Sequence, residues 1–321
     1  MKKPTIYITR KLPEHLLQPY TDRFDFQMWE KEETPVPRDV LLAEAKKAQG
    51  LVCMLSDKID QEFLAQNPQL KVISNLAVGF DNIDIKVAHE KGIVVTNTPD
   101  VLSETTADLT FALLMATARR LVEANEEIKA NRWGDWSPYY MAGTDIHHKK
   151  IGIVGMGRIG EAVARRAKGF NMSILYHNRR RKERAEQELG ARYADFETLI
   201  TEADFIVSLV PLSEETKALF DKNAFGKMKK SAIFINASRG AVVDEAALYE
   251  ALKEGEIEAA GLDVFLHEPI DSAHPLSTLK NVVCLPHIGS ASRETRTTMI
   301  QLCLDNIDGV FYGDGPKTAV K

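Results

Sequence analysis

Short apolar runs alternate with helical patterns along almost the whole chain. Thr5–Thr9, Gly50–Cys53, Val72–Asn75 and Val94–Thr96 come first. Lys150–Val154, Ser173–Tyr176, Phe205–Leu209, Ala232–Ile235, Ala260–Val264 and Val282–Leu285 follow. Each run reads as a short buried strand, and the helical stretches between them supply crossovers. The alternation predicts an α/β fold of doubly wound parallel sheets. Helices would cover both faces, and ligands would bind at the C-terminal strand ends.

One junction carries more information than the rest. Lys150–Val154 runs straight into Gly155-x-Gly157-x-x-Gly160, and a helix is predicted over Glu161–Phe170, with Ile159, Val163, Ala167 and Phe170 at helical spacing. Gly155 permits a tight turn, Gly157 lets backbone approach a pyrophosphate, and Gly160 lets helix and strand pack closely. The helix start offers N–H groups and a positive dipole end to phosphates. In this strand–turn–helix setting the motif predicts dinucleotide binding.

Such a motif normally opens its domain, yet about 150 residues precede it here. They must hold another domain or most of one, and the 321 residues suffice for two. Asn97–Asp100 is a turn signal. A helical pattern then runs from about Leu102 to Arg132, with Leu109, Leu113, Leu114 and Leu121 on related faces; it predicts one long helix crossing between domains. Trp133–His148 reads as a loop. A last helical pattern, Glu294–Phe311, has no strand of its own to cover, so the chain is expected to return to its first domain. The predicted division is residues 1–99 with 290–321 as a substrate domain, and 100–289 as the dinucleotide-binding domain.

Charge and composition narrow the function classes. A formal charge of −5 argues against nucleic-acid binding. No apolar run approaches the roughly 20 residues of a membrane helix. The lysine-flanked N-terminus reads as a first strand rather than an export signal, so a cytoplasmic protein is expected. Cys53, Cys284 and Cys303 are odd in number and widely spaced, which predicts buried thiols rather than a metal site or a disulfide framework.

Cofactor choice is legible about 20 residues beyond the glycines. A carboxylate there would hold a ribose 2′-hydroxyl. This chain reads Leu175-Tyr-His-Asn-Arg-Arg-Arg-Lys182, with Asn178, Arg179 and Arg180 at the position and no acid. Arginines chelate a 2′-phosphate by charge-assisted hydrogen bonds, so NADPH is predicted over NADH, with NADH still usable.

Three later strand ends each carry a polar residue: Arg239 in Asn236-Ala-Ser-Arg-Gly240, Glu268 in His267-Glu-Pro269, and His287 in Pro286-His-Ile-Gly-Ser290. In a parallel sheet all three reach the edge that holds the cofactor. An Arg, a Glu and a His there suit hydride transfer to a 2-oxo acid. His147, His148, His267 and His274 read as surface or loop histidines, and Asp81 and Asp84 as turn and helix-cap residues.

With Asn75-Leu-Ala-Val-Gly-Phe-Asp-Asn-Ile-Asp84, the glycine motif and these three segments, the whole chain resembles the D-isomer-specific 2-hydroxyacid dehydrogenase family. Within it, the resemblance is to the glyoxylate/hydroxypyruvate reductase group, which includes 2-ketogluconate reductases. It implies a Rossmann domain inserted into a flavodoxin-like substrate domain. It implies that Arg239 binds the substrate carboxylate and carbonyl oxygen, a bidentate task. His287 would exchange a proton with that oxygen, and Glu268 would orient His287 and favour its protonated form. Leu55, Ser290, Trp136 and the backbone N–H groups of Val78 and Gly79 would contact substrate. Thr106, Arg158, Ile159, Pro211, Thr216, Ala237, Ser238, Asp263 and Gly289, together with His287, would line the cofactor. A loop like Trp133–Pro138 lies at the dimer contact in that group, so a homodimer is expected, with Trp136 shaping the neighbour's pocket. Leu266 departs from the polar or acidic residue that many relatives carry before His-Glu-Pro.

Other relatives fit less well. Formate dehydrogenases lack the acid partner of the histidine, and long-form phosphoglycerate dehydrogenases add a regulatory domain after the point where this chain stops. A dinucleotide-sensing scaffold of corepressor type is the alternative from another class. The Arg239–Glu268–His287 set favours an enzyme over it.

Overall fold

The computed structural model describes residues 2–321, which form two compact units. Residues 1–102 and 291–321 make the first; residues 103–290 make the second. Both are α/β, with all-parallel sheets as the alternation predicts.

The first unit holds β1 (Thr5–Ile8), β2 (Asp25–Met28), β3 (Gly50–Cys53), β4 (Val72–Asn75) and β5 (Val94–Thr96), in the order β2-β1-β3-β4-β5. This is the flavodoxin-like order, reversing between β1 and β3. One face is covered by Phe63, Leu64 and Ala88, packed with Tyr7, Leu51, Ile73 and Val95 from the strands. The helix Arg293–Tyr312 packs on β4 from the same unit, burying Met299, Cys303 and Ile307.

The second unit holds β6 (Lys150–Val154), β7 (Ser173–His177), β8 (Arg192–Tyr193), β9 (Phe205–Ser208), β10 (Ile233–Asn236), β11 (Ala259–Leu262) and β12 (Val282–Cys284). Their order is β12-β11-β10-β9-β6-β7-β8, so direction reverses between β6 and β9. The glycine motif follows β6 and stands at that switch point, where open α/β sheets bind ligands. Period-two alternation sorts the core: Ile151 and Ile153 face one cluster, with Phe111, Leu114 and Val163. Val154 faces the other, with Phe220, Phe225 and Phe234. Gly261 in β11 has a structural duty, since a Cβ there would lie 2.6 Å from Thr117 Oγ1 and 2.8 Å from Leu113 Cγ. Its absence lets the helix Ser103–Ala118 close onto the sheet.

Two features differ from the sequence reading. The edge strands β2 and β8 are absent from it: Asp25-Phe-Gln-Met28 is half polar and β8 has two residues, so neither presents an apolar run. The single helix expected over Leu102–Arg132 is two helices, Ser103–Ala118 and Leu121–Lys129. Arg120 takes a left-handed conformation (φ 53°) between them, which no helix accommodates. Its guanidinium holds Glu123 at 2.9 Å through two nitrogens. No helix among the described residues is long and apolar enough to cross a membrane.

Candidate active site

The glycine turn is built as its spacing predicts. Gly155 has φ 106°, and a Cβ there would strike the Leu209–Val210 peptide at 2.6–2.8 Å. A Cβ on Gly160 would lie 2.3 Å from the Gly155 carbonyl oxygen, so the helix Arg158–Gly169 starts as close to β6 as backbone allows. Gly157 meets nothing within 4 Å and precedes the helix without a side-chain cap. An open glycine beside an uncapped helix start fits a dinucleotide pyrophosphate. Arg158 and Ile159 form the first helical turn.

At the end of β7, Asn178 serves the turn itself. Its Oδ1 accepts the Met156 N–H at 3.0 Å and its Nδ2 donates to the Met156 carbonyl at 3.3 Å. The basic run beyond it divides in two. Arg181 is bound to Glu186 and Arg184 to Glu188. Arg179 is 87 % exposed, 3.8 Å from Glu215, and Arg180 is also exposed.

After β9, Thr216 closes the loop that begins at Pro211. Its hydroxyl donates to the Pro211 carbonyl at 2.7 Å and accepts the Ser213 N–H at 2.8 Å. After β10, Asn236 is fully buried and organises the turn carrying Ala237, Ser238 and Arg239. Its Oδ1 accepts both the N–H and the hydroxyl of Ser238, at 3.1 and 2.8 Å. Its Nδ2 donates to the Arg239 carbonyl at 3.0 Å. The sequence reading did not single out Asn236; an amide at a strand end, three residues before the arginine, was the available signal.

Asp263, 1 % exposed, follows β11. Its two carboxylate oxygens accept the N–H groups of Ile288 and Gly289, both at 2.8 Å, and its carbonyl accepts the His287 N–H at 2.9 Å. Three successive residues of the β12 loop are thereby fixed. His287 is held in a left-handed conformation, φ 53°, uncommon for a residue with a side chain. Burial pushes the Asp263 carboxyl above its ordinary value, against the two N–H donors and the charge of His287. A Cβ on Gly289 would press on Asp263 Oδ2 at 3.2 Å and on Thr106 Cγ2 at 3.3 Å, so these three residues pack together. Ser290 follows, half-buried.

Glu268 completes the arrangement. Its Oε2 lies 2.8 Å from His287 Nδ1, and its Oε1 accepts the Phe265 N–H at 3.0 Å. Burial alone would raise this carboxyl. The hydrogen bond and charge of His287, the Phe265 N–H and the Arg239 charge outweigh it and hold the group below its ordinary value. With Nδ1 engaged, Nε2 is the ring atom left for a ligand. The structure thus brings His287 and Glu268 into contact and sets Arg239 within charge range of Glu268.

In the first unit the β4 loop shows a separate arrangement. The carbonyls of Ala77, Val78 and Gly79 accept from Thr98 N at 2.9 Å, Asn97 Nδ2 at 2.8 Å and Asn75 Nδ2 at 2.8 Å. These three bonds fix the loop that carries the Val78 and Gly79 N–H groups. Leu55, half-buried, lies in the loop after β3. Asp84 caps its helix through the Val87 N–H at 3.1 Å, as the cap reading has it. Trp136 is 76 % exposed and Trp133 59 %.

Residues 111–289 match the family described as D-isomer specific 2-hydroxyacid dehydrogenase, NAD binding domain. The chain is 48 % identical over 319 residues to a glyoxylate reductase of Korarchaeum cryptofilum, covering 99 % of this chain and 96 % of that one. A glyoxylate reductase of Pyrococcus horikoshii is 48 % identical over 322 residues, with 99 % and 96 % covered. Among solved structures, the NADPH-dependent glyoxylate/hydroxypyruvate reductase of Sinorhizobium meliloti, in complex with NADP and malonate, superposes with a TM-score of 0.85 at 32 % identity. There 99 % of this chain and 97 % of that chain are covered.

Proposed function

The chain belongs to the D-isomer-specific 2-hydroxyacid dehydrogenase family, NAD(P)-dependent oxidoreductases acting on 2-oxo acids, and from that premise we propose NADPH-dependent reduction of glyoxylate, hydroxypyruvate or 2-ketogluconate to the D-2-hydroxy acid. The observation that carries this reading is the His287–Glu268 pair at 2.8 Å on a loop fixed by Asp263. Relatives named glyoxylate reductases support the substrate class, and the Sinorhizobium meliloti relative is named for NADPH.

When bound, the dinucleotide supplies the hydride. The Gly155–Gly160 turn and the start of the helix Arg158–Gly169 would hold its pyrophosphate, and Arg179 and Arg180 its 2′-phosphate. Thr106, Pro211, Thr216, Ala237, Ser238, Asp263 and Gly289 are proposed to border it. Asn178 acts there by holding the Met156 backbone.

His287 holds the transferable proton on Nε2, since Nδ1 is engaged by Glu268. In reduction it gives that proton to the carbonyl oxygen of the substrate, and in oxidation it takes it back. Glu268 fixes which ring nitrogen is free and which way it points. Arg239 presents a planar fork that matches a carboxylate and its neighbouring carbonyl oxygen. The N–H groups of Val78 and Gly79 are proposed as further carboxylate donors, and Leu55 and Ser290 as substrate contacts.

The chain is further proposed to form a homodimer. Leu121, Val122, Ile128, Trp133, Trp136 and Tyr139 are all exposed within one stretch, and exposed apolar groups of this density mark interaction surfaces. Light scattering of the wild type and of Trp136→Ser checks it: a dimer weakened by the substitution is expected, and a monomeric wild type would contradict it.

The function is tested by initial rates of cofactor oxidation at 340 nm, with NADPH and NADH each paired with glyoxylate, hydroxypyruvate and 2-ketogluconate. Turnover with NADPH on at least one acid is expected. A folded protein that binds NADPH yet turns over none of the three would overturn the substrate assignment.

A further inference from the structure

We propose that Glu245 is a positioning residue for the Glu268–His287 pair, acting through the peptide between Phe265 and Leu266. The inference rests on the reading of His287 as proton donor.

Glu268 reaches His287 from the loop after β11, and two successive N–H groups of that loop end on carboxylates. The Phe265 N–H donates to Glu268 Oε1 at 3.0 Å. The next one, Leu266 N–H, donates to Glu245 Oε1 at 2.6 Å. Glu245 therefore holds the peptide directly beyond the one that Glu268 uses.

The same peptide is also packed against backbone. A Cβ on Gly240 would lie 1.8 Å from the Phe265 carbonyl carbon and 2.2 Å from Leu266 N. The peptide thus lies flat on the backbone of Gly240, the residue after Arg239. Gly240 packs against this peptide and Glu245 accepts its N–H, so two contacts restrain it. One peptide sets the spacing between the Arg239 turn and the Glu268 loop.

Glu245 is not needed as a helix cap. It is the first residue of the helix Glu245–Lys253, whose start is capped by Asp244 through the Ala247 N–H at 3.1 Å. Its other oxygen lies 3.4 Å from His274 Nε2. The His274 ring stands edge-on to Phe265, centroids 5.7 Å apart, so His274 supports the same loop. The Cys284 thiol, pushed up to about 11 by burial and the charge of Glu245, is a further titratable group that senses it. Leu266 itself is 48 % exposed, so its side chain does little to fix the loop.

The test compares Glu245→Ala and Glu245→Gln with wild type in kcat, KM, thermal unfolding and amide hydrogen exchange at Leu266. Glu245→Ala is expected to lower kcat roughly 10- to 100-fold, the range for a misplaced catalytic group. KM for the 2-oxo acid should stay within about 2-fold, because Arg239 is held by its own turn. Leu266 exchange should quicken about 10-fold or more. Glu245→Gln keeps an oxygen acceptor and should restore most of both. A folded Glu245→Ala with wild-type kcat and wild-type exchange would overturn the proposal, as would a Glu245→Gln no better than Ala. If wild type reduces no 2-oxo acid, the proton-donor reading falls, while the exchange comparison still decides whether Glu245 holds the loop.

Discussion

At the β12 end of the second sheet, polar side chains are committed to holding structure, whereas beyond β7 Arg179 and Arg180 are exposed. Asp263 spends both oxygens on the Ile288 and Gly289 N–H groups, and Asn236 spends its amide on Ser238 and Arg239. Glu268 divides itself between Phe265 and His287. By contrast, Arg179 and Arg180 project from the end of β7 into solvent. The difference matches what each end is proposed to do. Proton transfer tolerates little misplacement, so its groups are preorganised by buried acids and backbone donors. A 2′-phosphate is a compact dianion that two exposed arginines can reach.

Substitutions should separate the two ends, and the largest loss belongs to the braced one. Arg239→Ala would remove the proposed bidentate hold on the substrate carboxylate and should cost ~10²–10⁴ in kcat/KM, measured with the preferred 2-oxo acid. Retention of more than a tenth of wild-type kcat/KM would remove Arg239 from the substrate site. Asp263→Ala leaves two buried N–H groups unsatisfied and should lower stability by about 2–4 kcal/mol, read from denaturant unfolding. An unchanged midpoint would mean that the loop is held elsewhere.

At the open end the consequences should be milder and selective. Arg179→Ala combined with Arg180→Ala should raise KM for NADPH ~10- to 100-fold, leaving KM for NADH, kcat and thermal stability near wild type. Equal losses with both cofactors would refute the 2′-phosphate role. The smallest effect concerns pH. Glu268 has its folded carboxyl held below its ordinary value, so it contributes stability above about pH 4.3, lost as pH falls through the folded value. Wild type should therefore exceed Glu268→Gln by on the order of 1 kcal/mol at pH 7, with the gap closing below about pH 4. A gap that widens on acidification would contradict the ion pair.

The same contrast explains what could be read from residues alone. Buried parallel strands declare themselves as apolar runs, and the glycine turn needs its residues at fixed offsets, so both sheets and the switch-point turn were legible. Of the four edge strands, β5 and β12 were legible and β2 and β8 were not, because Asp25–Met28 is half polar and β8 has only two residues. The break at Arg120 was hidden because arginine is a good helix former, and its left-handed backbone follows from the chain around it. Arg239, Glu268 and His287 stood out by their places after strands. Their supports did not: Asn236, Glu245 and the loop-holding role of Asp263 depend on partners 2 to 26 residues away, which only the folded sheet brings together. Asn178 was noticed for its position, but its bonds to Met156 are a tertiary fact.

The most direct measurement is the initial rate of NADPH oxidation by wild type and His287→Ala with the preferred 2-oxo acid, with NADPH affinity determined in parallel by fluorescence titration. The account predicts a loss of ~10²–10⁴ in kcat with NADPH affinity within a few-fold of wild type, because the imidazole is proposed to supply a proton and only to border the cofactor. A variant that keeps the wild-type rate, or loses rate only as it loses cofactor, would contradict it.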